Sequence, residues 1–66
     1  MRITVHSPET NRHGEWTIKP AITGKGPKPG WSVVIEPDGY IRVCHDTVAT
    51  WLIEELRTYP HTETKL

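Results

Sequence analysis

Five side chains in this 66-residue sequence have the types that bind metals or pair as nucleophile and base: His6, His13, Cys44, His45 and His61. A structural zinc site needs paired ligands two to five residues apart, so that one turn presents both. Cys44 and His45 are adjacent instead, and neighbours on a strand point to opposite faces. His6 and His13 flank one loop with no third ligand in the pattern. The expectation is no metal and no cofactor, with the histidines as ordinary surface groups. A cysteine nucleophile needs a base within reach and surroundings that favour the thiolate. Cys44 has the negative Asp46 two residues on, and it reads as a small, partly buried strand residue. The carboxylate pairs fare no better. Glu54 and Glu55 diverge by about 100° on a helix, while Glu36 and Asp38 flank an exposed turn. Neither pair offers the desolvation that general acid catalysis requires. Gly24-Lys25-Gly26 leads into a strand, so it lacks the helix N-terminus that would cradle phosphate. No catalytic residue is expected, and the chain reads as a non-enzyme.

The elements that position these residues follow from periodicity. Ile3 and Val5 alternate with polar neighbours over residues 2–6, the pattern of a half-buried strand. Residues 7–14 contain no apolar side chain and read as a loop. A second strand is expected over 15–19, with Trp16 and Ile18 on one face, ended by Pro20. The stretch 23–30, rich in glycine, proline and lysine, reads as a flexible loop. Two β-rich runs, 31–36 and 40–44, flank Pro37-Asp38-Gly39, a hairpin turn in which glycine takes the left-handed conformation. Trp31, Val33, Ile35, Ile41 and Val43 make the more apolar face of that hairpin and are expected in the core. Val34, Tyr40 and Arg42 then fall on its outer face with Ser32, Glu36 and Cys44. A helix is expected over 47–58, capped by Asp46 and stopped by Pro60, with Val48, Ala49, Leu52, Leu56 and Tyr59 inward. Glu55 falls beside that apolar stripe, where it needs a cation such as Arg42 or a place at the rim. The tail from His61 to Leu66 reads as polar and frayed. The resulting fold class is α+β: one domain over 1–66, a small antiparallel sheet of about four strands packed against one C-terminal helix.

Composition narrows the functions that such a fold can serve. Scaling with mass puts the folded surface near 4300 Å², and a chain this short has little core to give up to a buried cleft. A single cysteine excludes an internal disulfide. No apolar run exceeds three residues and the first six residues lack a signal-peptide core, so a reduced cytoplasm without membrane contact is expected. The formal net charge of zero hides a split. Residues 1–35 carry Arg2, Arg12, Lys19, Lys25 and Lys28 against Glu9 and Glu15. Residues 36–66 carry Arg42, Arg57 and Lys65 against Glu36, Asp38, Asp46, Glu54, Glu55 and Glu63. Such asymmetry steers partners even in a neutral chain. Lys19, Lys25 and Lys28 near Trp31 suit direct nucleic-acid binding, against a pI of about 6.9 that is low for such domains. The alternative is a protein-binding module. Its contacts would come from Val34, Tyr40 and Arg42 on the outer sheet face, and from Glu36, Asp38, Glu54 and Glu55 in the acidic half, which could occupy a basic groove that ordinarily holds nucleic acid.

In length, in the absence of catalytic or metal motifs and in its layout of a short sheet plus a helix, the chain resembles small proteins of phages and mobile elements. Among these it is similar to anti-CRISPR proteins, across its whole length but with no shared motif. That resemblance implies a stoichiometric inhibitor in the host cytoplasm that binds a CRISPR–Cas effector subunit, or another host defence complex, and blocks DNA targeting. A small phage DNA-binding or transcription-modulating protein, using Lys19, Lys25 and Lys28, is the competing implication.

Overall fold

Residues 1–65 are described by a computed structural model; Leu66 lies outside the described residues. The chain forms β1 (Arg2–Val5), β2 (Gly14–Thr23), β3 (Gly26–Ile35), β4 (Ile41–His45), α1 (Asp46–Leu56) and β5 (His61–Thr64). All neighbouring strands run antiparallel, in the order β4-β3-β2-β1-β5. The expected α+β class therefore holds, with five strands and one helix packed on a single face of the sheet. The tail expected to fray supplies the fifth strand. β5 pairs with β1 in the register Arg2↔Thr64 to Val5↔His61.

The β2–β3 hairpin departs most from the sequence reading. Residues 23–30 are not a flexible loop: Ile22↔Pro27 and Thr23↔Gly26 pair across a Gly24-Lys25 turn, prolonging the sheet into a two-stranded ribbon. Farther back the pairs are Pro20↔Ser32, Lys19↔Val33 and Ile18↔Val34. Between these two stretches β2 advances two residues while β3 advances five, a shift of three. Pro27 and Pro29 have no N–H to give a regular ladder, and Gly30 takes φ +83°, a conformation suited to glycine, to make the bend.

An odd shift turns every later side chain to the opposite face. Continued straight from the turn, the register would set Ile18 opposite Trp31 and Trp16 opposite Val33, the expected core. With the shift, Ile18 meets Val34 instead. Val34 is 1% exposed, whereas Ile41 and Val43 are 61% and 58% exposed. Trp31, Val33 and Ile35 are only half-buried. The assignment of faces on this hairpin is thus inverted. Val34 is core, and the five residues expected inside lie on the open face of the sheet.

The core consists of Ile3, Val5, Trp16, Ile18, Val34, Ala49 and Leu56, with Leu52, Ile53 and Tyr59 packed against it. α1 is turned so that Ala49, Leu52, Ile53 and Leu56 face the sheet, and Val48, expected inward, is exposed. The helix begins at Asp46, with His45 as an extended N-cap that provides no side-chain cap bond. Asp46 is therefore not the cap. Its carboxylate accepts the buried Ser32 hydroxyl at 2.6 Å and lies in the first turn, where a negative charge suits the helix dipole. Past Leu56 the chain leaves helical geometry through a turn in which the Thr58 N–H donates to the Glu55 carbonyl and the Tyr59 N–H to that of Leu56. Arg57 then clasps Glu63 with two hydrogen bonds of 2.8 Å, joining the helix end to β5.

Two expectations follow from this packing. Val34→Ala should destabilise by roughly 2 kcal/mol, as for a methyl-lined core position, whereas Val43→Ala should stay within about 0.5 kcal/mol; urea melts of both variants check the inversion. The Arg57 hydrogen bonds hold the Glu63 carboxyl below its usual range, against the opposing effect of desolvation. A carboxyl depressed in the folded state stabilises above its unfolded pKa and loses that contribution as pH falls through its folded value. Protection of β5 amides should therefore fade below about pH 4.5, the ordinary value, and NMR-detected exchange against pH should show it.

Candidate interaction surface

The open face of the sheet carries the residues that the register shift turned outward. Alternation along paired strands groups Thr17, Ile35 and Ile41 in one row and Lys19, Val33 and Val43 in the next, followed by Trp31 and His45. Trp31 and His45 stack with ring centroids 4.0 Å apart, and the Lys28 ammonium lies 4.7 Å from the Trp31 ring centre. The half of this face over β1 and β5 is polar, with Arg2, Thr4, Thr62 and Thr64, and Arg2 stands 3.5 Å from Glu15. An apolar patch of five side chains on β3 and β4 is thus flanked on its β2 side by Thr17 and Lys19, with Lys28 over Trp31. α1 packs on the opposite face and covers none of it. Contiguous apolar surface with a polar rim is the kind of surface that marks an interaction site.

On the helix side, a groove of about 220 Å³ opens between α1 and β4. It gathers Arg12, Glu36, Arg42, Cys44, Trp51 and Glu55 around a floor that includes Val34. Its charges are matched. Arg42 pairs with Glu36 at 2.7 Å, and Arg12 pairs with Glu55 at 2.5 Å. Arg12 is held in turn by its carbonyl, which accepts the Trp16 indole N–H at 2.9 Å. Glu55 therefore finds a cation, although from the β1–β2 loop rather than Arg42.

The residues expected to contact a partner separate accordingly. Val34, Glu36, Arg42 and Glu55 come together at the groove, and Arg42 lies on the helix side, not on the open face. Val34 is buried beneath them and presents no surface to a partner. Asp38 accepts the Tyr40 N–H within the hairpin turn, Tyr40 is exposed with the Arg42 guanidinium 5.7 Å from its ring, and Glu54 stands apart on the solvent side of α1. With Glu63 held by Arg57 as well, the acidic half has much of its charge neutralised by its own arginines. The open-face surface, Trp31, Val33, Ile35, Ile41 and Val43, is visible in the sequence as an apolar alternation, and that alternation alone points inward.

The histidines and the cysteine are dispersed. His6 bonds Thr62 at 2.8 Å, His13 Nδ1 accepts the Ser7 N–H, His45 stacks on Trp31, and His61 bridges the Tyr59 carbonyl and Glu63. Cys44 is free and half-buried. Among the described residues no three histidine, cysteine or acidic side chains converge as metal ligands do. Among the described residues no helix is long and apolar enough to cross a membrane. Comparison with protein families, with curated proteins and with solved structures gave no match.

The Arg12–Glu55 pair is 33% and 44% exposed, so solvent screens it. Glu55→Ala should cost no more than about 1 kcal/mol in urea denaturation, and part of that loss should vanish in high salt.

Proposed function

We propose that this chain is a non-enzymatic, stoichiometric inhibitor that docks through its open sheet face onto a protein subunit of a host defence complex. The observation that carries this reading is the patch of Trp31, Val33, Ile35, Ile41 and Val43, left uncovered in a chain whose one helix packs on the other face. A typical interface takes about 800 Å² per partner, roughly one-sixth of the 4569 Å² this molecule exposes. The patch, with Lys19 and Lys28 at its rim, has an apolar centre and a polar border, the anatomy of such an interface. A partner apolar at its centre and acidic beside Lys19 and Lys28 fits it. In this reading the protein is of phage or mobile-element origin, acts in the host cytoplasm, and blocks a CRISPR–Cas effector subunit, the role its size and layout resemble.

Nucleic-acid binding has one favourable observation: Lys19, Lys25 and Lys28 lie along the β2–β3 ribbon and its base. Trp31, the one aromatic ring beside them, is already stacked on His45 and overlain by Lys28. A base would have to displace these contacts, which places this reading second.

The test is capture of the host complex by tagged protein, together with phage plaquing on a host that has an active CRISPR–Cas effector. The wild type should recover an effector subunit in equimolar amount and restore plaquing. Val33→Glu combined with Trp31→Ala should weaken capture by at least about 2 kcal/mol, the level of interface hot spots, while Glu54→Ala leaves it unchanged. Recovery of DNA alone, with steep salt dependence, would overturn the proposal in favour of the second reading.

A further inference from the structure

All the exposed large apolar residues except Ile22, on the β2–β3 ribbon, lie near the β4 edge. Tyr40, Ile41 and Val43 lie on or beside β4, and Val48 and Trp51 lie on the adjoining side of α1, lining the groove with Arg42 and Cys44. β4 is also a free edge of the sheet. Natural edge strands are usually blunted by proline, a bulge or an unpaired charge. β5, at the opposite edge, is polar throughout, with His61, Thr62, Glu63 and Thr64. β4 instead carries Ile41 and Val43, has no proline, pairs with β3 without a break, and has one charge, Arg42, that is tied to Glu36.

The hydrogen-bonding phase of this edge can be read from the hairpin. The Glu36 N–H donates to the Tyr40 carbonyl, so that pair is of the bonded kind. Alternation along the register Ile35↔Ile41, Val34↔Arg42, Val33↔Val43 then turns the backbone groups of Arg42 and Cys44 toward β3 and those of Ile41, Val43 and His45 outward. As the N-cap, His45 commits its carbonyl to the first helical bond, but its N–H remains available.

We infer that β4 pairs with β4 of a second copy of this chain about a two-fold axis at Val43, joining two sheets into one of ten strands. In that register Val43 exchanges two hydrogen bonds with its symmetry mate, and each Ile41 carbonyl accepts the other copy's His45 N–H. Arg42 then faces Cys44. Sliding toward the turn by one register step would set Arg42 opposite Arg42, a like-charge pair that destabilises a sheet; sliding the other way would forfeit the Ile41 pairs. The strand is therefore complementary to itself in one register. A net charge of zero adds no overall repulsion between copies. The axis runs through the sheet, so both apolar open faces lie on the same side and form one wider surface. The second strand also extends the floor of the groove beside Val48 and Trp51. This inference concerns the edge and goes beyond the docking proposed for the open face.

Sedimentation equilibrium of the wild-type protein should give twice 7.6 kDa at high micromolar concentration. Val43→Lys, which opposes two ammonium groups at the axis, should retain its circular dichroism and weaken the dimer by about tenfold or more, the factor that 1.4 kcal/mol represents. A second variant avoids reliance on that fold: Val43→Cys with Cys44→Ser should form a covalent dimer on mild oxidation, since bonded pairs have Cα atoms about 5.5 Å apart. Thr64→Cys with Cys44→Ser, on the β5 edge, should not. A wild type monomeric up to millimolar concentration would overturn the inference. So would cross-linking equal at both edges, or a folded Val43→Lys that dimerises as well as the wild type.

Discussion

The three-residue shift between β2 and β3 decides which side of this protein is inside. A sheet residue has two possible faces, and an odd change of register exchanges them for the rest of the strand pair. Here the exchange sends Val34 under the helix and lifts Trp31, Val33, Ile35, Ile41 and Val43 away from it. Pro27, Pro29 and Gly30 cause the shift because two of them cannot donate to a ladder and the third bends where other residues resist bending. The same three residues, with the Gly24-Lys25 turn, turn a stretch of loop composition into a ribbon. The docking proposed for the open face depends on this local irregularity, since without it that apolar face would be core.

The single helix must cover the inward face with few residues, and it is tied down at three places. Ser32 reaches Asp46 at its start, Arg12 reaches Glu55 in its last turn, and Arg57 reaches Glu63 beyond its end. The Arg12–Glu55 tie brings the loop after β1 into contact with the acidic second half of the chain. The charge asymmetry along the sequence is thus partly spent on intramolecular pairs, and what remains to engage a partner is chiefly apolar. The Arg12 and Glu55 pairing also keeps the groove between α1 and β4 electrically balanced, which leaves Trp51, 64% exposed, as its most prominent apolar feature.

Much of the fold was legible in residue patterns. Alternation at Ile3 and Val5, at Trp16 and Ile18, and across Pro37-Asp38-Gly39 located four strands, and Gly39 does take the positive φ that its turn needs. The helix was legible within two residues at either end. β5 was not, because His61-Thr62-Glu63-Thr64 has no apolar member and forms a strand only by pairing with β1. The inverted hairpin escaped for a different reason. Its two faces are apolar to different degrees, and burial of the richer one is the favourable local choice; the register that overrides it is set just upstream, at Pro27, Pro29 and Gly30. The interaction surface and the core exchange together for one cause: on alternating strands Val34 points inward only if Val33 and Ile35 point outward.

The central claim is that Val34, not Val33 or Val43, lies under the helix. Methyl-to-methyl nuclear Overhauser effects in the labelled protein test it most directly. The account predicts contacts from the Val34 methyls to those of Ile18 and to the Ala49 and Leu56 methyls of α1, with the Val33 and Val43 methyls contacting one another and none from the helix. Contacts from α1 to Val33 and Val43, with Val34 silent toward the helix, would contradict it.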